Sequence, residues 1–449
     1  MSTIEKHDMT RGRILLPLVS FTIPLVLGNL FQLTYNAADS VIVGKYVGEQ
    51  ALAAVGTSTP IMNIAILLIS GMCMGASVLM SSQYGAKDYE TLSKQISTTM
   101  LAGCGFSVVF SLAMLLLATP VLRLIRVPEA AIPEAAVYLR IIFMGLIFTF
   151  MYNFLANTMR ALGDSKTPLY FLVTSAFLNI FGDLFFVVVL RWGVAGSAIA
   201  TVCSEGLCCL LCGIYIRKKI PLLCLGKKWF VFDKSLLGKT VSYGSTSAMQ
   251  QVCLQLGKLI IQSVVNTQGV AVMAAFTAVN RVDDFAYTPQ QNIGHAMTTF
   301  LAQNKGAGHK ERMKKGFQTG LLIEVVYSIG LFCVIRGLAP QIMALFAEDG
   351  DAQVVSLGIG YLHLISWMYF LPGLTNGIQG FFRGIGDLKV TLYSTFMNMV
   401  GRVVAVFVMI RVLHMDFANL AWANMIGWIV MLLFEVPLLV KSMRNGECG

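Results

Sequence analysis

Apolar side chains dominate twelve long stretches of this chain, and short polar or Pro/Gly-containing stretches separate them. Each apolar stretch is about 20 residues long or longer, which is the length that a helix needs to cross a bilayer. A helix also satisfies its own backbone hydrogen bonds in lipid. The pattern predicts an all-α polytopic membrane protein with twelve transmembrane helices, at about residues 14–44, 52–80, 95–118, 134–158, 167–190, 194–216, 240–266, 275–303, 317–337, 354–380, 388–410 and 416–440.

Charged side chains make up only 12% of the 449 residues, against about 25% in ordinary soluble domains. If the N-terminus lies in the cytoplasm, the cytoplasmic segments hold 23 of the 33 Lys and Arg residues and the outer connections hold 6. This asymmetry follows the positive-inside rule, so the net charge of +10 reflects topology and gives no reason to expect nucleic acid as a partner. We expect a multi-pass protein of the cell membrane with both termini in the cytoplasm.

The second half of the chain repeats the first. The segment "MRALGDSKTPLY" (159–170) returns as "FRGIGDLKVTLY" (382–393), 223 residues later, and "SQYGAKDYE" (82–90) returns as "AQNKGAGHKE" (302–311). Six helices in each copy make the two copies parallel in the membrane. We predict a two-lobed bundle with an N-terminal lobe at 1–216, a cytoplasmic linker at 217–239 and a C-terminal lobe at 240–449.

One carboxylate, Asp183, interrupts the apolar run "LNIFGDLFFVVVL" (178–190). An ionised side chain is expensive inside a membrane and usually marks a functional site. At the repeat offset Asp183 corresponds to Val406, and Asp39 of the first helix corresponds to Ile260 at an offset of 221. The second copy builds the same helices without these two acids, so the fold itself does not require them.

Four oxygen-bearing side chains are predicted to lie at one depth in the outer half of the first lobe. With a rise of 1.5 Å per residue, Asp39 lies about 9 Å and Asp183 about 12 Å below the outer ends of their helices. Asn179 lies one turn from Asp183 on the same face, and Thr201 enters the next helix from the same side. Such a cluster suits a shared proton or a hard cation such as Na⁺.

The first helix carries a polar stripe formed by Asn29, Gln32, Asn36 and Asp39, whose spacing of 3, 4 and 3 residues places them on one face. A polar stripe in lipid must face a neighbouring helix or a water-filled cavity. At Asn29 and Asn36, hydrogen bonding between helices is as good an interpretation as a cavity lining. Upstream, Pro24 removes one backbone hydrogen bond and offers a bending point.

At these positions the chain resembles the multidrug and toxic compound extrusion (MATE) family over essentially its whole length. The matching pieces include "YNAADSVIVGKYVGEQALAAVG", "RALGDSKTP", "LNIFGDLFF", "AGSAIAT" and "FRGIGD", in this order. Within the family the chain looks most like the DinF-type branch. The resemblance implies an ion-coupling site at Asp39, Asn179, Asp183 and Thr201, a hinge at Pro24, and a substrate cavity lined by Gln32, Asn153 and Asn157.

The chain departs from the NorM-type branch of the same family. That branch has a glutamate in helix 7 and an aspartate in helix 10 for cation binding in the second lobe. Here the helix 7 position is Gln250, and helix 10 runs "YFLPGLTN" (369–376) without a carboxylate. The sequence leaves open the roles of other charged residues in the spans, which include Glu205, Lys258, Asp283 and Asp284.

The resemblance implies a secondary active antiporter that exports amphipathic or cationic organic compounds in exchange for H⁺ or Na⁺ by alternating access. The alternative is a flippase of the same superfamily for polyprenyl-linked sugars. No catalytic, phosphate-binding or metal-spaced motif occurs, so we do not expect an enzyme, a cofactor or a resident metal beyond the coupling ion. The expected partners are a small-molecule substrate and membrane lipid, and we expect a monomer.

Overall fold

The structure is a computed structural model that describes residues 8–125, 127–129, 131–220, 230–346 and 352–444. Within these ranges it describes all side chains except those of residues 36–38, 40, 41, 49, 50, 52, 53 and 346. The secondary structure of the described residues is helical throughout, and no strand occurs among them.

Seven α-helices form the first half of the chain. They are α1 (Leu15–Tyr46), α2 (Glu49–Gly85), α3 (Tyr89–Leu124), α4 (Ile132–Met144), α5 (Leu146–Ala161), α6 (Lys166–Asp183) and α7 (Gly193–Lys219). The second half contains α8 (Lys234–Val265), α9 (Val270–Gly306), α10 (Lys310–Phe346), α11 (Ala352–Ile365), α12 (Phe370–Gly384), α13 (Leu388–Arg411) and α14 (Ala421–Arg444). All twelve predicted stretches are helical, which confirms the predicted fold class.

Two of the twelve stretches are broken helices. Helices α4 and α5 occupy the fourth stretch and meet at 46°, and α11 and α12 occupy the tenth and meet at 47°. The first bend lies at Gly145, where a β-carbon would come within 2.4 Å of the Val202 side chain on α7. The second bend lies at residues 366–369, which is the same place in the repeat. Both copies of the repeat therefore bend their fourth helix.

Most of these helices suit a bilayer by length and composition. Among the described residues, eight are long and apolar enough to span a membrane, and ten if each bent pair counts as one span. Helices α8 and α9 fall below that apolar level because polar side chains are frequent in both. Large apolar side chains point outward on the others, as Leu116 does with 79% of its surface exposed. Such a surface is typical of contact with lipid.

The chain forms two compact units, and both unit boundaries fall inside helices. The first unit contains Ile23–Ala248, and the second contains Met9–Thr22 together with Met249–Gly449. Helices α1 and α8 therefore each belong to both units. The lobe boundaries predicted from the sequence, 1–216 and 240–449, stay a prediction, and residues 221–229 of the predicted linker lie outside the described residues.

In the second unit, Arg312 at the start of α10 holds the segment that precedes α1. Its guanidinium donates to the backbone oxygens of Met9 at 3.0 and 3.2 Å and of Gly12 at 2.7 Å. The Asn304 side chain on α9 also donates to the Met9 oxygen, at 3.2 Å. Charge-assisted hydrogen bonds of this kind are stronger than neutral ones, so the segment before α1 is fixed to the loop between α9 and α10.

In the first unit, glycines allow α2 and the beginning of α8 to touch through their backbones. A β-carbon at Gly71 would lie 2.5 Å from the Ala248 Cα, and one at Gly75 would lie 2.5 Å from the Gly244 nitrogen. Small residues four apart on both helices are a common way to bring membrane helices into close van der Waals contact. This contact has no room for a larger side chain.

We expect Gly75→Ala to lower the stability of the protein, because the added methyl group must push two helix backbones apart. Overpacking of this kind costs about 1–3 kcal/mol. The measurement is the thermal unfolding midpoint of the detergent-solubilised protein. Gly105→Ala is the matched control, since Gly105 lies within α3 and has no atom within 4 Å of its added β-carbon. Equal losses for the two variants would contradict the close contact.

Candidate functional site

The predicted ion site is built on α1, α6 and α7 of the first unit, and α6 and α7 lie very close together. A β-carbon at Gly182 on α6 would lie 3.0 Å from the Ala200 Cβ on α7. One at Gly196 on α7 would lie 3.0 Å from the backbone of Phe186. The two glycines thus let neighbouring helices approach until their polar side chains meet.

The four predicted site residues come together. The Asn179 side chain on α6 donates to Thr201 Oγ1 on α7 at 3.2 Å, and the Thr201 hydroxyl donates to the Ser197 backbone oxygen at 3.2 Å. The Ser197 hydroxyl donates to Asp39 Oδ1 on α1 at 2.8 Å. The carboxyl groups of Asp39 and Asp183 are neighbours in the same cluster. Three helices therefore share one polar cluster.

Ser197 is a site residue that the sequence analysis missed. It lies four residues before Thr201 and therefore on the same face of α7, which is the signal that could have revealed it. Its position is restricted by Gly196, because α7 packs on the backbone of Phe186 there. Ser197 is fully buried. Its hydroxyl donates the hydrogen bond that joins the Asp39 carboxyl group to α7.

Asp183 is fully buried without the partners that an ionised carboxyl group needs. Neither of its oxygens receives a hydrogen bond from a described residue, and neither does the buried Oδ1 of Asn179. None of the ion pairs among the described residues includes Asp39 or Asp183. An isolated buried charge is strongly unfavourable. Two facing carboxyl groups can hydrogen-bond to each other only if one of them carries a proton.

The backbone changes at Asp183 in a way that the sequence did not predict. The regular helix α6 ends at this residue, and Leu184–Val189 continue as a wider π-helix. The wide turn is visible in the hydrogen bond from the Leu190 nitrogen to the Phe185 oxygen at 2.9 Å. Short π-helical stretches within helices are frequent at functional sites. Here the change of pitch begins at the carboxylate itself.

Glu205 lies on α7 one turn beyond Thr201 and extends the polar cluster. It accepts a hydrogen bond from the hydroxyl of Thr149 on α5. The buried side chain of Tyr138 on α4 lies near Asp39, Asp183 and Glu205. The first unit thus contains three acidic side chains in one neighbourhood, with hydroxyl groups between them.

Pro24 is buried in α1, two residues after the point where the helix passes from the second unit to the first. Helix α1 continues through Pro24 from Leu15 to Tyr46 without a break. A proline within a helix leaves one backbone oxygen without its usual donor. The hinge assigned to Pro24 stays a prediction.

The predicted cavity residues lie on α1 and α5. The side chains of Asn153 and Asn157 are half-buried, and each donates to the backbone oxygen four residues earlier in α5, at 2.9 and 2.8 Å. Gln32 is exposed and contacts Tyr35 on the same helix. The Asn36 side chain lies outside the described residues. The substrate cavity therefore stays a prediction.

The second unit has a polar cluster at Gln250, with the buried acid Glu435 beside its member Gln379. The amide nitrogen of Gln250 donates to Gln379 Oε1 at 3.2 Å and to Thr395 Oγ1 at 3.0 Å. All three side chains are buried, and all are uncharged. Two other contacts of the second unit involve acidic residues. Lys258 and Asp284 form an exposed ion pair at 3.1 Å. Asp283 accepts a hydrogen bond from the Tyr369 hydroxyl at 2.6 Å.

Comparison with known proteins places the chain in a family of membrane transporters. The sequence model of the MatE family matches residues 24–185 and matches a second time at residues 247–408. The two matches are 223 residues apart, which is the offset of the internal repeat. The chain belongs to the MatE family, in which multidrug efflux is the recurrent activity. The DinF-type branch stays a prediction.

Individual relatives agree with this assignment. The chain is 31% identical over 395 residues to "Probable multidrug resistance protein YpnP" of Bacillus subtilis, covering 87% of this chain and 86% of the relative. It has the fold of a MATE protein solved in a bent and in a straight conformation, with 22% identity in each case. The TM-scores are 0.91 and 0.89, and the match covers 99% or more of both chains.

Proposed function

We propose that this protein is a secondary active antiporter that exports amphipathic or cationic organic compounds in exchange for H⁺ or Na⁺. The observation that carries the proposal is the pair Asp39 and Asp183, whose facing carboxyl groups have no counter-charge among the described residues. Such a pair is stable only with a bound proton or cation. Binding and release of that ion would switch the local charge of the first unit.

The internal repeat supports a functional role for the pair. Val406, the counterpart of Asp183, packs in the apolar core of the second unit, and Ile260, the counterpart of Asp39, is an exposed apolar residue on α8. Equivalent helices thus fold with ordinary apolar residues at both positions. The cost of two buried acids in the first unit is therefore most simply explained by ion coupling.

A bound proton is the simplest way to stabilise the pair, because two neighbouring buried carboxyl groups repel each other when both are ionised. The oxygen atoms of Asn179 and Thr201 next to them also suit Na⁺, which prefers oxygen ligands. When the ion binds, the negative charge of the pair decreases by one, and we expect the contact of α1 with α7 through Ser197 to change. A bend of α1 near Pro24 would pass this change to the substrate cavity.

The nature of the cargo rests on the family and on the composition of the chain. The relative YpnP is named a probable multidrug resistance protein. This chain contains 24 Met and 28 Phe residues, and flexible methionine side chains adapt to ligands of different shape. We place the substrate against Gln32, Asn36, Asn153 and Asn157 in the first lobe.

We expect Asp39→Asn and Asp183→Asn each to abolish ion-driven export, because an amide can neither take up a proton nor supply a full negative charge to Na⁺. The measurement is transport of a fluorescent organic cation in proteoliposomes, under a pH gradient alone or a Na⁺ gradient alone. The gradient that drives the wild type identifies the ion. Asp284→Asn, which neutralises an exposed aspartate, is the matched control. Undiminished transport in both site variants would exclude the pair from coupling.

We expect Pro24→Ala to slow transport while the protein stays folded, because a restored backbone hydrogen bond stiffens α1. The measurement is the maximal export rate of reconstituted protein, corrected for the amount that elutes as a single species. Pro60→Ala is the matched control, since Pro60 also lies inside a membrane helix, α2, and is exposed. A Pro24→Ala rate equal to that of the wild type would argue against the hinge.

A further inference from the structure

The second unit contains a buried acid that the proposed function does not use. Glu324 lies in α10, 14 residues from its first residue Lys310, or about 21 Å along the helix axis. Its side chain is fully buried. Neither of its carboxylate oxygens receives a hydrogen bond from a described residue. None of the ion pairs among the described residues includes it.

Polar groups from three segments surround this acid at Gly373 of α12. A β-carbon at Gly373 would lie 3.0 Å from Ser328 Oγ, 3.2 Å from Gln290 Nε2 and 3.4 Å from Glu324 Oε2. Three polar side chains therefore converge on a space about as large as a methyl group, and glycine is what leaves that space open. Below, we refer to Glu324, Gln290, Ser328 and Gly373 as the Glu324 cradle.

The hydrogen bonds inside the cradle leave oxygen atoms free. The amide nitrogen of Gln290 donates to Ser328 Oγ at 3.1 Å and to the backbone oxygen of Tyr369 at 2.8 Å. The Ser328 hydroxyl donates to the backbone oxygen of Glu324 at 2.7 Å. Gln290 Oε1 is buried and, among the described residues, has no donor. The described residues thus leave three oxygen atoms without a donor: two on Glu324, and one on Gln290, whose amide nitrogen is its atom nearest Gly373.

The first unit closes the equivalent space with an apolar side chain. Glu324 corresponds to Gly103 at the offset of 221, and Gly373 corresponds to Phe150 at the offset of 223. A β-carbon at Gly103 would lie 1.9 Å from the Phe150 ring, so the ring packs directly on this glycine. The same helix contact is therefore aromatic in one copy and polar in the other. The fold does not need an acid there.

Among the described residues, no cation pairs with Glu324. The positive charge of Arg402 acts on Asp283 and Tyr287 of α9 instead. On α10 the nearest titratable group is Tyr327, whose hydroxyl donates to the Ala286 backbone oxygen at 3.1 Å. Helix α9 brings Asp283 and Tyr287, and Tyr369 precedes α12 with its hydroxyl bonded to Asp283.

The cations on these helices lie away from the cradle. Arg336 lies on α10, 12 residues beyond Glu324, and donates a hydrogen bond to the backbone oxygen of His363 on α11. On α12, Arg383 is ten residues beyond Gly373, or about 15 Å along the helix axis.

We propose that the Glu324 cradle binds one monovalent cation, H⁺ or Na⁺, as a second ion site in addition to Asp39 and Asp183. One carboxylate with neutral oxygen atoms balances a single positive charge and is too weakly charged for a divalent ion. The site uses α9, α10 and the start of α12, with no residue of α8, so it is separate from the cluster of Gln250, Gln379 and Thr395. The proposal rests on these contacts and does not depend on antiport by the first unit.

The test counts cations bound by the purified full-length protein in nanodiscs. Proton uptake per protein is measured after a jump from alkaline to neutral pH, and proton release is measured on addition of NaCl against choline chloride. We expect Glu324→Gln to take up one proton fewer than the wild type. If the site exchanges H⁺ for Na⁺, the Na⁺-induced release also falls by one proton. Asp284→Asn is the control with an exposed aspartate.

Two further variants keep the outcome decisive. Gly373→Ala fills the cradle without removing a charge. We expect it to weaken cation binding by about tenfold or more, because the methyl group takes the space beside Glu324 and pushes Ser328 Oγ and Gln290 Nε2 aside. Asp183→Asn removes the first site only. The protons lost from uptake in Asp183→Asn and in Glu324→Gln should therefore add in the double variant. If Glu324→Gln and Gly373→Ala both bind protons and Na⁺ as the wild type does, the second site does not exist. That result would leave the role of Asp39 and Asp183 untouched.

Discussion

A carboxyl group surrounded by apolar helices has to find a compensating charge, and the arrangement of the first unit follows from this requirement. Asp183 has no hydrogen-bond donor among the described residues and faces a second acid, Asp39. Ser197 holds Asp39 in place, and the glycines of α6 and α7 bring the helices close enough for the contact. The cluster is therefore incomplete as protein alone. In the antiport that we propose, a small cation supplies the compensating charge, and its binding and release are coupled to movement of the helices.

The duplicated sequence acts as an internal control for each unusual residue. At Asp39 and Asp183 the second copy has Ile260 and Val406, and at Glu324 and Gly373 the first copy has Gly103 and Phe150. Each copy shows that the other one could be built without its acids. Residues that the shared architecture needs are the same in both, as at Gly163 and Gly386, which adopt φ of 91° and 87° in equivalent turns. Positive φ is costly for residues other than glycine.

The sequence predicts the twelve helical stretches well, because hydrophobic length and helical periodicity are local properties. The same periodicity puts Asn179 near Thr201, as the structure does, while the ion site itself stays a prediction. The sequence misses the bends at Gly145 and at residues 366–369, since these depend on neighbours such as Val202 that are distant along the chain. The π-helix after Asp183 has no marker in an evenly apolar run. The sequence around Glu324 has no marker of a site either, because the site that we propose there also needs Gln290 and Gly373 on other helices.

The start of α1 belongs to the second unit, and this has a consequence for synthesis of the chain. Residues 9–22 pack with the second unit, whose α9 and α10 begin only at residues 270 and 310. Arg312, which binds the Met9 and Gly12 backbone, is made some 300 residues after them. During translation this segment therefore has to wait for its binding partners while the helices of the first unit are made.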